Sequence, residues 1–495
     1  MNERIIRLLY VSLGLVAALV VMTTYWQTWA APALADRQDN AIKRVAEFSI
    51  DRGTIVSGSP FRRLARNVRR ELDTQTLFFR RYPQGELAAH AVGYSTAARS
   101  RTGLERSLND YLTSSTANLS TLVDKALDEL RGKAVQGNDV VVNLNLAAQQ
   151  VALEQLGRRC GAVVALDPRT GKVRVMASSP SFDPNRVEND FGSIENVTAD
   201  CRPASPLLNR ANAGLYVPGS TFKVITAAAA LESKKYMPES SFVDPGYCTV
   251  YGKRVTNFDT SRPFGTIDLE DALTYSVNSV FCNIGKKLGA KLILDQAKRF
   301  GFYELPPLET PTDERRTSGL YQGRRLYYPK DDSDVDAGRM AFGQERILVT
   351  PLQMAMVAGA IGVHGKLMEP KVVSRVVSPD GKTVVKSRPT LVRQAVSRDT
   401  ADAVAQMMRL AVERGTGTAA QISGYSIGGK TGTGETGVPG SNTTWFIAFA
   451  GADDESPAEL AIAVVLEDQS GTGGATAAPI ARAVMEAILR SRENP

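Results

Sequence analysis

At 495 residues the chain is longer than one ordinary domain of roughly 100–200 residues, so more than one folded unit is expected. Hydrophobic residues at 43% and charged residues at 22% form a globular mix that excludes a low-complexity or disordered chain. Lys and Arg number 59 against 52 Asp and Glu, a net +7 that suits a membrane surface, an anionic polymer or a nucleic acid, while two histidines and four cysteines leave almost no room for a Cys/His zinc cluster or for histidine-based catalysis.

Arg4 and Arg7 open the chain, and no charged side chain follows until Asp36. The apolar stretch 8–26 matches the about 20 residues a helix needs to cross a bilayer. Tyr25, Trp26 and Trp29 stand at its far end as interfacial anchors, and the positive-inside rule puts the N-terminus in the cytoplasm. The expected layout is a cytoplasmic tail at 1–7, a transmembrane anchor at 8–29 and an exported body. Ala33-Leu34-Ala35 has the A-x-A form of a cleavage site, but a signal core runs about 7–15 apolar residues, which favours a retained anchor in the plasma membrane. No metal is expected, and a cofactor such as ATP does not fit an exported body.

Residues 36–137 read as an irregular platform. They hold a β-like run at 48–55, an arginine-dense stretch and a helical pattern at 104–130. The stretch carries Arg62, Arg63, Arg66, Arg69, Arg70, Arg80 and Arg81 against Glu71 and Asp73. A solvated helix face is the expected form, with lipid headgroups, a wall polymer or a partner protein as what it could grip. No nucleic-acid-binding motif accompanies it, so nucleic acid is excluded as a partner.

From 138 the texture changes. Asn145 is placed to cap a helix reaching Leu156, and strands at 162–166 and 172–176 flank the turn Asp167-Pro168-Arg169-Thr170-Gly171. Near the other end, 426–433, 444–450 and 459–466 read as strands, followed by an amphipathic helix at 477–489. Strands at both ends with helices between them predict one α+β domain over 138–495, its sheet closed by the first and last segments.

Inside it, Pro218-Gly219 precedes Ser220, which opens an alanine-rich helix. Ser220 and Lys223, three residues apart, share a face of that helix at its positive end. A serine hydroxyl needs a base. With histidine so scarce that base is Lys223, kept neutral by burial or by another cation. S-x-x-K alone is a common pattern, but Ser276-Val277-Asn278 follows on a helix-like run, and Lys430-Thr431-Gly432-Thr433 follows on a strand.

S-x-x-K, S-x-N and K-T-G in this order resemble the serine D,D-transpeptidases, carboxypeptidases and β-lactamases that interact with penicillin. Arg52-Gly53-Thr54-Ile55, Tyr82-Pro83, Gly103-Leu104-Glu105, Gly343-Gln344 and Thr350-Pro351 extend the resemblance to class B penicillin-binding proteins, with a length and layout similar to their actinobacterial members. S-V-N stands here in place of S-D-N, and Val56-Ser57-Gly58 departs from the turn many relatives carry.

The resemblance implies a penicillin-binding transpeptidase domain, an antiparallel sheet flanked by helices, on an elongated pedestal. It implies that Ser220 attacks the penultimate D-alanine carbonyl of a peptidoglycan stem peptide, Lys223 takes its proton, Ser276 relays a proton to the leaving amine and Lys430 supplies positive potential. Asn278 would hold the donor backbone, Thr431 and Thr433 its carboxylate, and the N–H groups of Ser220 and Thr433 the oxyanion, with Gly432 between them. β-Lactam antibiotics would acylate Ser220, and a SEDS-family membrane glycosyltransferase would be a partner. A hydrolytic sibling, carboxypeptidase or β-lactamase, and a catalytically idle scaffold share the motifs.

The P-loop pattern in Gly424–Thr431 is rejected because residues 432–440 cannot start a helix. Cys160, Cys201, Cys248 and Cys282 allow three disulfide connectivities, with Cys282 also readable as simply packed. His90 and His364 read as structural.

Overall fold

The computed structural model describes residues 2–26, 47–58, 60–72, 75–114, 136–260, 263–438 and 440–493. Helix α1 (Asn2–Tyr25) is exposed from Glu3 onward, and among the described residues it is the one helix long and apolar enough to cross a membrane. Trp29 lies outside the described residues.

In the pedestal the β-like run begins as a 3-10 turn at Glu47–Ser49 and becomes a strand at β1 (Ile55–Ser57). The arginine stretch is not a helix but a hairpin of β2 (Arg62–Leu72) and β3 (Gln75–Arg81). Arg66, Arg69, Arg70 and Arg81 stay exposed, while Arg80, opposite Asn67, turns inward. Strand pairing has overridden the helix propensity of arginine. The helical pattern appears as two short helices, Gly103–Ser107 and Asn109–Leu112, and its part beyond Ser114 lies outside the described residues.

Strand β4 (Asp139–Val142) leads into α2 (Leu146–Leu156), where the Asn145 side chain accepts from the Ala148 N–H as a cap should. Then come β5 (Gly161–Leu166), β6 (Val173–Ser179) and, after a 3-10 turn at Gly219–Phe222, helix α3 (Lys223–Glu232). A hairpin of β7 (Tyr247–Val250) and β8 (Lys253–Thr256) precedes α4 (Leu269–Thr274) and α5 (Asn278–Leu288). Beyond the buried helix α6 (Pro351–Gly362) lie β9 (Val373–Val377), β10 (Thr383–Lys386) and α7 (Arg398–Glu413). The chain finishes with β11 (Ser426–Glu435), β12 (Asn442–Gly451), β13 (Leu460–Gln469) and α8 (Ala478–Glu493).

The central sheet is antiparallel in the order β11-β12-β13-β5-β6, so the last strands close on the first, with Leu466 opposite Gly161. One face buries Val163, Ile462 and Phe446 under α2 and α8, and the other buries Ala463 and Val465 against α6 and the helices around α3. Strand β11 is left at the edge of this sheet.

A second sheet, β10-β9-β4-β1-β2-β3, joins the pedestal strands to β4 and to two strands from residues 373–386. Glu105, fully buried, accepts from Arg52 Nε at 2.8 Å and Arg80 Nε at 2.7 Å. Arg106 reaches Asp313 at 2.8 Å, and the Gly103 N–H reaches Glu314 at 2.9 Å, which fastens the pedestal to the body. The four cysteines pair as Cys160–Cys201 and Cys248–Cys282. Cys282 is therefore cross-linked rather than simply packed.

Candidate active site

Ser220 sits half-exposed in the turn Gly219–Phe222, three residues before the first residue of α3. That turn lies against edge strand β11 because two positions have no side chain. A Cβ on Gly219, whose φ is +52°, would meet the Thr433 carbonyl at 2.4 Å, and one on Gly432 would meet the Pro218 carbonyl at 2.7 Å. The turn is tied down by Trp445 Nε1 donating to the Val217 carbonyl at 2.9 Å and by the Gly219 N–H donating to the Gly343 carbonyl at 3.1 Å. Gly432 thus acts by letting the strand approach the serine turn.

Lys223 is fully buried, and its Nζ donates to the Ser276 carbonyl at 2.7 Å and to Asn278 Oδ1 at 2.7 Å, with Ser276 Oγ at 3.3 Å. Burial, and after it the charge of Lys430, push the Lys223 amine well below its ordinary range. Lys430 is also fully buried, donates to the Thr431 carbonyl at 3.1 Å, and is lowered by burial to about 7. Both means expected of keeping Lys223 neutral are therefore present.

Ser276 is not on a helix. It occupies the turn between α4 and α5 with φ at +63°, and Val277, buried, precedes the first residue of α5, Asn278. A non-glycine residue in the left-handed region costs on the order of 1–3 kcal/mol and persists where its surroundings enforce it. Here the turn aims both its carbonyl and its hydroxyl at Lys223.

Asn278 Nδ2 donates to the Thr256 carbonyl of β8 at 3.0 Å, which turns the amide oxygen toward Lys223. Behind it, Ser279 is held by Asn257 and Asp244, its N–H donating to Asn257 Oδ1 at 3.0 Å. Burial would raise the Asp244 carboxyl, but hydrogen bonds from Phe264, Ser279, Gly246 and Asn257 outweigh it and hold the group below its usual range. Thr256, Asp244 and Asn257 belong to no motif and were not singled out from sequence. Nor was Thr416, whose hydroxyl lies 2.7 Å from that of Thr431. Thr433 stands half-exposed, two residues further along the same face of β11.

Lys430-Thr431 runs on through β11 without starting a helix, so the P-loop reading stays rejected. His90 is buried against the Pro206 carbonyl at 2.7 Å and is lowered by burial to about 4, and His364 meets Asp402 at 2.7 Å.

A serine at a helix start, a buried amine of depressed basicity and an edge strand carrying K-T-G are an arrangement that can support acyl transfer. Residues 161–486 match the penicillin binding protein transpeptidase domain, and residues 52–140 match the penicillin binding protein A dimerisation domain. The chain belongs to the class B penicillin-binding proteins and is a serine-type peptidoglycan D,D-transpeptidase. It is 33% identical to the peptidoglycan D,D-transpeptidase PbpA of Mycolicibacterium smegmatis over 99% of each chain, and 32% identical to PbpA of Mycobacterium tuberculosis, again over 99% of each. A solved structure of penicillin-binding protein A from M. tuberculosis, a ceftriaxone acyl-enzyme complex, superposes with a TM-score of 0.78 at 31% identity, covering 90% of this chain and 100% of that one. The actinobacterial likeness expected from length and layout is borne out.

Proposed function

We propose that Ser220 is the nucleophile and Lys223 the base of this transpeptidase. The Ser220 hydroxyl attacks the penultimate D-alanine carbonyl of a stem peptide while its proton passes to the Lys223 amine. Ser276 returns a proton to the leaving D-alanine, and a second peptide's amine then attacks the ester to complete the cross-link. The observation that carries this assignment is the fully buried Lys223 Nζ, held 2.7 Å from Asn278 Oδ1 with Lys430 as its charged neighbour. The backbone N–H groups of Ser220 and Thr433 form the oxyanion hole, an effect worth about 2.7–4 kcal/mol per donor. The hydroxyls of Thr431 and Thr433 receive the donor's carboxylate.

In this reading β-lactams acylate Ser220; penicillin-binding protein A of M. tuberculosis forms acyl-enzyme complexes with ceftriaxone and with penicillin G. Residues 8–29 anchor the chain once across the plasma membrane with the N-terminus inside, and the pedestal at 36–137 carries the catalytic domain at 138–495 outside. A SEDS-family glycosyltransferase meets the anchor and pedestal.

The test is intact-mass measurement of the detergent-solubilised full chain after penicillin G. One adduct located on Ser220, absent from Ser220→Ala and lost over hours, is expected. An adduct that persists in Ser220→Ala overturns the assignment, and release within seconds points to a β-lactamase.

A further inference from the structure

Thr416 follows α7 and is exposed, whereas Thr431, the middle residue of the third motif, is 7% exposed. Their hydroxyl oxygens lie 2.7 Å apart. A hydroxyl carries one proton and two acceptor sites, so in such a pair one O–H is used inside the pair and the other stays free to donate outward. Each bond in such a chain polarises the next.

The segment bearing Thr416 is held from two sides. Arg414 donates to the Tyr275 hydroxyl at 3.0 Å and to Asp271 Oδ1 at 2.7 Å, and so grips α4 and the residue just before Ser276. Gly415 lies so close to the second motif that a Cβ there would stand 2.3 Å from the Thr274 carbonyl. On the far side, a Cβ on Gly474 would stand 2.5 Å from the Thr416 carbonyl. Residues 414–416 thus form a strap from the second motif to the third, and a hydroxyl fixed in this way needs no reorganisation when a ligand arrives.

We propose that Thr416 is a substrate-binding residue, the outermost member of a row of hydroxyls, Thr416, Thr431 and Thr433, that receives the free carboxylate at the end of the donor peptide. This rests on the reading of Ser220 as nucleophile and adds a residue outside the three motifs. The alternative is that Thr416 merely braces Thr431. The two differ in ligand dependence, because a brace serves every substrate alike and a carboxylate-binding hydroxyl serves only those with a carboxylate.

The experiment measures the second-order acylation constant of the full chain with a D-alanyl thioester ending in a carboxylate and with the same thioester ending in a carboxamide. Thr416→Val, which keeps the shape and removes the hydroxyl, is expected to lose about tenfold with the carboxylate, in keeping with one hydrogen bond to a charged group. It should match wild type with the carboxamide, and Thr416→Ser should stay within about twofold of wild type on both. Equal losses on the two thioesters, or no loss on either, overturn the proposal while leaving Ser220 as nucleophile. Wild-type acylation at a residue other than Ser220 overturns the nucleophile assignment, and the proposal with it.

Discussion

Asn278 Oδ1 and Lys223 Nζ lie 2.7 Å apart, with the other end of the Asn278 amide committed to the Thr256 carbonyl. The neutral amide accepts a hydrogen bond from the amine and adds no charge that would favour the ammonium as a carboxylate would. Asn278→Asp puts a charge there, and an opposite charge within about 4–6 Å moves a pKa by about 1–3 units toward the charged form. The pH profile for β-lactam acylation of the full chain should move to higher pH by that amount, with about tenfold less neutral amine per unit at a fixed lower pH. An unmoved profile would show that Lys223 is not the group whose titration limits acylation.

Lys430 gives a stability prediction of definite sign. Burial lowers it from 10.5 to about 7 in the fold, so between those values the unfolded chain binds more protons than the native one. Stability therefore rises with pH through that window, and Lys223, lowered in the same direction, adds to the slope. The thermal midpoint of the solubilised chain should climb by a few degrees from neutral pH toward the upper end of the window. Lys430→Met should flatten the climb while cutting acylation by roughly 10²-fold, the scale for removing one electrostatic group from such a site. A variant with the wild-type slope would count against the buried amine as its source.

The local features and the closing of the sheet were legible in the sequence, and the side-chain contacts that build the site were not. Asn145 announces its helix because a cap is a contact three residues away. The closing of the sheet by β13 on β5 follows from β-like runs at the two ends of the domain. Ser276 looked helical because it sits between two helices, and nothing local reports that the turn must twist to +63° for its carbonyl to meet Lys223. Thr256, Asp244, Asn257 and Thr416 act on residues between 15 and 35 positions away, at spacings no motif encodes. The arginine hairpin was misread because charge density says where solvent is, while the strand pairing of Arg66 with Arg81 decides the backbone.

Glu105 predicts where the pedestal fails. Burial would raise its carboxyl, but Arg80 and Arg52 outweigh that and hold it below its ordinary value. Its contribution is present above the ordinary carboxylate value and is lost as pH falls through the lower native one. Glu105→Gln leaves two arginines in the interior without their counter-charge, a change that costs about 3–5 kcal/mol. The denaturant midpoint at neutral pH should drop accordingly and the acid limb of the stability curve should flatten. Acylation per folded molecule should stay at the wild-type level, since Glu105 lies in the pedestal.

The disulfide between Cys248 and Cys282 joins β7 to α5, the helix whose first residue is Asn278. Strand β8, which supplies the Thr256 carbonyl to Asn278, pairs with β7 through Cys248 opposite Val255. One covalent link therefore holds the hairpin and the helix that together orient the amide facing Lys223. Non-reducing peptide mapping should recover Cys160 with Cys201 and Cys248 with Cys282, and iodoacetamide should label no cysteine before reduction. Closing a loop of 34 residues is worth about 3–4 kcal/mol by chain entropy, so Cys248→Ser with Cys282→Ser should unfold at clearly lower denaturant. It should also acylate several-fold more slowly, whereas breaking Cys160–Cys201, which carries no residue of the three motifs, should cost stability with a smaller effect on acylation. Equal acylation losses from the two double variants would separate the Cys248–Cys282 link from the placement of Asn278.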